Sequence, residues 1–306
     1  MTAGGPALLS GVVDTHVHTS PDIRPRTHTD AEYAAEAWAA GMAAVVLKNH
    51  YEPTVARAAA AAKAAPGLAV LGGLVLNHAA CGGFNPEASA VALTLGARVI
   101  WMPTFSARNH KDYLRRSDGT SFVAGGRFET ESEGLSPVND SGKVIDSVLR
   151  IIDHLAEHDA VLATGHLSAD ESTAVITEAH SRGARRFLVT HPESPQIAMG
   201  ADVQRDLAKF GTMFEHCYLP LTHGYDIARL VDEIRAVGVE HSVIATDFGR
   251  VDKPSPVAGM RLFGEALVEA GLSEQEWRTV ASANALRLLG LRYQASVTSP
   301  QPVRSD

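Results

Sequence analysis

Two histidines stand one residue apart near the start of the chain, in Val13-Asp14-Thr15-His16-Val17-His18. In an extended strand the side chains alternate, so His16 and His18 point to the same side. Other groups end apolar runs in the same way. His166 follows Leu162-Ala163-Thr164-Gly165, His191 follows Phe187-Leu188-Val189-Thr190, and Asp247 follows Val243-Ile244-Ala245-Thr246. Lys48 ends Ala44-Val45-Val46-Leu47. A lone His-x-His often arises by chance, and any one of the others could be a strand-end cap. Four histidines and an aspartate at four strand ends are harder to dismiss. Four imidazoles and a carboxylate brought together form a borderline donor set for a divalent ion: zinc first, with manganese, iron or cobalt as alternatives.

Convergence requires elements that bring those strand ends together. Eight apolar runs rich in Val, Ile and Leu recur along the chain: 11–17, 43–48, 69–76, 97–102, 161–165, 187–190, 212–215 and 242–246. Continuous apolarity suits strands buried on both faces of a parallel sheet. Between them lie stretches with helical spacing at 30–40, 53–65, 86–95, 141–158, 169–182, 201–210 and 225–237. Thr29-Asp30 and Ser168 read as N-terminal caps, and Gly41, Gly183 and Gly238 as stops. Eight strand–helix units predict an α/β fold, a (β/α)8 TIM barrel, whose active face is the carboxyl end of the strands. A doubly wound open sheet is the competing arrangement.

The connection after the fourth strand, about 104–140, is polar and Gly-rich with little periodicity. A structureless loop of that length suits a lid over the barrel mouth. Two further helices are expected at 256–270 and 273–289. The reading is of one barrel domain over 1–293, with a disordered tail over 294–306.

Composition narrows the classes. The 306 residues carry a formal charge of −8, which offers no basic field for nucleic acid. Two cysteines, Cys81 and Cys217, make no disulfide framework. No apolar run approaches the roughly 20 residues that span a bilayer, and no signal segment opens the chain. The expectation is a soluble cytoplasmic protein that acts on a small molecule, without nucleic-acid or membrane partners. A homo-oligomer is compatible with all of this.

The His-x-His on the first strand, the single histidines after the fifth and sixth, and the aspartate after the eighth resemble the amidohydrolase superfamily. The late Asn284-Ala285-Leu286-Arg287-Leu288-Leu289-Gly290-Leu291 is similar to the closing helix common there. The resemblance spans nearly the whole chain, 12–291. It implies that His16, His18 and Asp247 bind a more buried metal, and His166 and His191 a second, more exposed one. Many members bridge the two ions with a carbamylated lysine on strand 4. Here that strand ends Ile100-Trp101-Met102-Pro103-Thr104, with neither lysine nor glutamate. Lys48, at the end of strand 2, is the candidate carbamate instead. Its other roles would be contact with a substrate carboxylate or a structural salt bridge.

The leading function is then a metal-dependent hydrolase that uses activated water on an amide, lactone, imide or related ester bond. Asp247 would be the catalytic residue that accepts and returns the proton. The alternative is a single-metal decarboxylase or hydratase of a small unsaturated or aromatic acid. A non-catalytic metal- or ligand-binding barrel is the third reading. For substrate contact the candidates are His78 and His50, then His110 and Tyr113 in the insertion, and Arg24, Arg26 and Arg250. Two inward-facing arginines would mean an anionic substrate. Glu215-His216-Cys217 reads as support or core, and His154, His158, His180 and His241 as unremarkable positions.

Overall fold

The computed structural model describes residues 8–117 and 134–292. The expected tail over 294–306 and the middle of the insertion lie outside them. The strands are β1 (Val13–Val17), β2 (Ala44–Leu47), β3 (Ala69–Leu71), β4 (Gly73–Val75), β5 (Val99–Trp101), β6 (Val161–Ala163), β7 (Arg186–Thr190), β8 (Met213–Cys217) and β9 (Ser242–Ala245). β1 to β3 form one parallel sheet, and β4 to β9 form another in chain order. At the seam β9 returns to β1. The Asp247 N–H donates to the His16 carbonyl at 2.9 Å, and the His18 N–H to the Phe248 carbonyl at 2.8 Å.

The fold is the expected TIM barrel, with one strand divided. The apolar run 69–76 breaks between β3 and β4, where Thr54 inserts. Its N–H donates to the Gly73 carbonyl at 3.0 Å, and its hydroxyl accepts the Gly73 N–H at 2.9 Å. β3 therefore pairs with β2, and β4 with β5.

The helices are α1 (Asp30–Ala39), α2 (Val55–Ala61), α3 (His78–Cys81), α4 (Pro86–Thr94), α5 (Arg108–Arg116), α6 (Asp146–Glu157), α7 (Ala169–Ser181), α8 (Ala201–Ala208), α9 (Tyr218–Leu221), α10 (Ile227–Val237), α11 (Pro256–Glu269), α12 (Glu274–Arg278) and α13 (Asn284–Leu288). Thr29 with Glu32, and Ser168 with Glu171, form reciprocal capping boxes that start α1 and α7. The expected helix 273–289 is interrupted by a π turn at Thr279–Ala283. The Asn284 amide that follows donates to the Val239 and Ser242 carbonyls at 2.8 and 2.7 Å. No helix among the described residues is long and apolar enough to cross a membrane.

Alternation along the strands builds two layers of core. Val13, Val46, Val75, Val99, Val161 and Leu188 fill the barrel interior, joined by Leu286 and Leu288 of α13, which plugs the amino-terminal end. The intervening residues, such as Val45, Leu47, Ile100, Leu162 and Val189, pack outward against the helices. With one end plugged by apolar residues, the polar inward positions collect at the carboxyl ends.

The insertion corrects the expectation of a structureless segment. It opens with α5, whose first N–H, at Arg108, donates to the Leu135 carbonyl at 2.8 Å. Leu135 in turn donates its N–H to the Ser106 carbonyl at 2.7 Å, so the two ends of the insertion are stitched together. Periodicity missed α5 because eight of its nine residues are charged, polar or aromatic, and its strong amphipathicity comes from one buried edge holding His110 and Lys111.

Candidate metal centre

The site begins with an irregularity in β1. Its register against β2 shifts between Asp14 and Val17, as a bulge allows. Asp14 faces outward to the Tyr33 hydroxyl of α1 at 3.2 Å. Thr15 and His16 both face inward, where the Thr15 hydroxyl donates to Glu215 at 2.6 Å and His16 Nδ1 lies 3.0 Å from the same carboxylate. Two successive residues thereby reach one inward group, and His18 follows on the same side.

Four donor atoms meet above the bulge. His16 Nε2 lies 3.3 Å from His18 Nε2, 3.1 Å from Asp247 Oδ1 and 3.0 Å from Lys48 Nζ. His18 Nε2 is 3.2 Å from the same Asp247 oxygen. Glu215 accepts a hydrogen bond from His16 Nδ1, which leaves Nε2 as the ring atom facing the cluster. Donors around one divalent ion at about 2.1 Å stand roughly 3.0–3.4 Å apart, the spacing found here.

The imidazoles of the site differ in their electrostatics: burial would lower His16, but Asp247 and Glu215 outweigh it and raise the ring above the usual imidazole range. Burial drives His18 down to about 3 and His191 to about 4, and it holds His50 and His166 well below the usual imidazole range. These rings stand neutral at pH 7, the state a ligand needs. Burial alone would raise Asp247, but His16 and His18 outweigh it and hold the carboxyl well below the usual carboxylate range. Burial likewise lowers Lys48, against the pull of Asp247 and Glu215. The Lys48 Nζ lies 5.4 Å from the ring centre of Trp101 on β5.

His166 and His191 face each other at the ends of β6 and β7, ring centres 5.1 Å apart. His191 is 6.2 Å from His16 by the same measure, so the second pair adjoins the first cluster. His191 and Asp247 both sit in left-handed backbone, with φ of 34° and 53°. For non-glycine residues that costs on the order of 1–3 kcal/mol each, and such outliers gather at functional sites. Gly165 and Gly249 let the chain pass close by: a Cβ at Gly165 would overlap the Met102 carbonyl, and one at Gly249 the His18 carbonyl.

Above these donors lies a cavity of about 90 Å³. Of the residues singled out in the sequence, His16, His18, Lys48, His166, His191 and Asp247 line it, as do His50, Arg24, Arg26 and Arg250. His78, His110 and Tyr113 stand outside its wall. His78 starts α3, its N–H on the Ser106 hydroxyl at 2.9 Å, and Tyr113 is half-buried on α5. His110 lies wholly buried behind His166.

Glu215 has the supporting place expected of it and orients His16. Asn77 and Phe105 were not singled out. Asn77 holds the loop after β5, and Phe105 forms a wall 4.2 Å from His50, ring to ring, with the Arg24 guanidinium 5.2 Å above it. The alternation that made Glu215 inward was visible; its partner, 199 residues away, was not.

Glu215→Gln keeps the shape and removes the charge that fixes His16. Its zinc affinity, measured by chelator competition, is expected to fall 10–100-fold with the fold intact. Unchanged affinity would remove Glu215 from the centre.

No curated protein matches the sequence. Solved structures share the fold at low identity. An amidohydrolase from Pseudomonas aeruginosa has a TM-score of 0.59 at 13% identity, covering 94% of this chain and 98% of that one. A dihydroxybenzoic acid decarboxylase from Polaromonas sp. JS666, holding manganese and the inhibitor 2-nitroresorcinol, has 0.55 at 12%, over 92% and 97%. Dipeptidase AC, a metallopeptidase, has 0.55 at 13%, over 92% and 98%. At such identities the likeness is one of fold alone. The profile of a family of unknown function, DUF6282, matches residues 11–215. That stretch includes His16, His18, Lys48, His166, His191 and Glu215, and stops short of Asp247.

Proposed function

The chain belongs to DUF6282, a family of unknown function, and from the site itself we propose a metal-dependent hydrolase of a small anionic molecule. The observation that carries this reading is the meeting of His16 Nε2, His18 Nε2, Asp247 Oδ1 and Lys48 Nζ within 3.0–3.3 Å contacts at a cavity floor. His16, His18 and Asp247 would hold one ion, and His166 with His191 would hold a second. The mixed imidazole and carboxylate set favours zinc, with manganese, iron or cobalt as substitutes. When bound, a divalent ion supplies Lewis acidity, lowering the pKa of water from 15.7 towards about 7 and polarising a carbonyl.

The chain's own groups do the rest. Asp247, ionised and aimed at the donors, would take a proton from the attacking water and return it to the leaving group of an amide, lactone, imide or ester. Lys48, buried and inclined to lose its proton, would take up carbon dioxide as a carbamate. The amine nitrogen then forms the N–C bond, and one proton leaves to solvent. The purification behaviour expected is that of a soluble cytoplasmic enzyme.

Charge supports the substrate class. Arg24, Arg26 and Arg250 line the cavity beside the carboxylate of Asp247, in a chain whose net charge is −8. Asp22 holds Arg26 at 2.7 Å and Asp252 holds Arg250 at 2.8 Å, which fixes two guanidinium groups at the rim. Arg24→Ala and Arg250→Ala are each expected to raise KM for a carboxylate substrate by about 10-fold, with kcat nearly kept. An equal rise for a neutral analogue would argue against an anion contact.

The second reading, a single-metal decarboxylase of an aromatic or unsaturated acid, is favoured by the aromatic rings that Phe105 and His50 present beside Arg24. A panel of lactones, amides, esters and aromatic acids, assayed on metal-loaded protein, tests both. Hydrolysis without carbon dioxide release supports the first reading, and carbon dioxide release the second. Turnover of none of them by protein shown to hold metal counts against the proposed bond classes.

A further inference from the structure

We infer that His110, from the insertion helix, is a positioning residue that fixes the tautomer of His166 and so readies it to bind metal; the inference rests on the metal-centre reading above. The two Nδ1 atoms are 2.9 Å apart, and the rings lie 4.7 Å centre to centre at 30°. At that distance one nitrogen carries the proton and the other accepts it. His166 lines the cavity with its other edge, so Nε2 is the atom left for an ion. A ligating imidazole must leave Nε2 bare, which places its proton on Nδ1, donated to His110.

Among the described residues His110 Nε2 is buried without a hydrogen-bond partner, so the hydrogen bond of its ring there is the one to His166. The neighbouring residue acts on the same ligands through the backbone. The Asn109 amide donates to the His166 carbonyl at 3.1 Å and to the Gln196 carbonyl, in the loop after His191, at 2.7 Å. One turn at the start of α5 therefore grips both loops that carry the second donor pair. The ordered start of the insertion serves as scaffold for the metal centre, and this is where His110 belongs, rather than among substrate contacts.

The test compares wild type, His110→Phe and His110→Asn. Phe keeps a ring and deletes both nitrogens, whereas Asn keeps a hydrogen-bonding atom near the Nδ1 position. Zinc affinity is measured by chelator competition, and the ligand field by the visible spectrum of the cobalt(II) form. Expected are a 10–100-fold loss of affinity and an altered cobalt spectrum in His110→Phe, with His110→Asn near wild type. A folded His110→Phe protein with wild-type zinc affinity and cobalt spectrum would overturn the inference and leave the metal centre standing. Wild type that takes up no zinc would remove the metal-centre reading and this inference together. Nitrogen-15 correlation spectra of zinc-loaded wild type, with labelled histidine, decide the matter even if the variants do not fold. The proton should lie on His166 Nδ1, and finding it on His110 Nδ1 would contradict the assignment.

Discussion

Asp247→Asn is expected to lower kcat about 10³-fold while the protein still folds and binds metal. The argument is one of charge. The carboxylate is ionised, held well below its usual range by His16 and His18, with Oδ1 within 3.1 and 3.2 Å of their Nε2 atoms. An amide keeps an oxygen at nearly the same place but accepts no proton at neutral pH. The left-handed backbone at Asp247 also tolerates asparagine better than most residues, so the strain there is not worsened. The measurement is steady-state kinetics on the substrate that the panel identifies, beside metal content for each variant. Full activity in a metal-loaded Asp247→Asn protein would remove Asp247 as proton carrier. Loss of metal together with activity would assign it to ligation alone.

Asn77→Ala should be the most destabilising single change in the site region, at about 3 kcal/mol, lowering Tm by roughly 5–10 °C. Asn77 is wholly buried and uses both ends of its amide. Nδ2 donates to the His50 carbonyl at 3.1 Å and to the Thr104 hydroxyl at 2.7 Å. Oδ1 accepts the backbone N–H groups of Thr104 at 2.8 Å and Ser106 at 3.2 Å. Truncation leaves two N–H groups and a carbonyl unpaired away from water, each worth on the order of 1 kcal/mol or more. The same bonds hold His50 and Phe105 at the cavity wall, so substrate affinity should fall with stability. Thermal unfolding followed by circular dichroism checks the first effect. A Tm within a degree or two of wild type would show that water replaces the lost bonds.

How much of this was readable in the sequence depends on what a residue's role rests on. His16, His18, Lys48, His166, His191 and Asp247 each end an apolar run, and parallel barrels gather such ends on one face, so local pattern sufficed. Roles resting on contacts between distant segments were not readable. At Asn77-His78 the histidine drew attention as the usual chemical actor, yet the asparagine ties three loops together and the histidine points elsewhere. Glu215 and His16 meet only because β9 alone separates β8 from β1 at the seam, where the bulge in β1 turns His16 inward. Helix α5 escaped notice because its sequence, Arg-Asn-His-Lys-Asp-Tyr-Leu-Arg-Arg, shows no apolar stripe. Its buried edge is polar and meets the polar ligands of the site. His110 was expected as a substrate contact in the insertion, and its depth behind His166 depends on how that helix docks.

The most direct test is the metal content of protein purified without chelators or a nickel column, measured by elemental mass spectrometry beside a His16→Ala/His18→Ala double variant. The centre described here predicts one or two ions per wild-type chain, with a clear loss in the double variant. Wild type that holds no metal, even after incubation with zinc or manganese, or a double variant that holds as much as wild type, would contradict it.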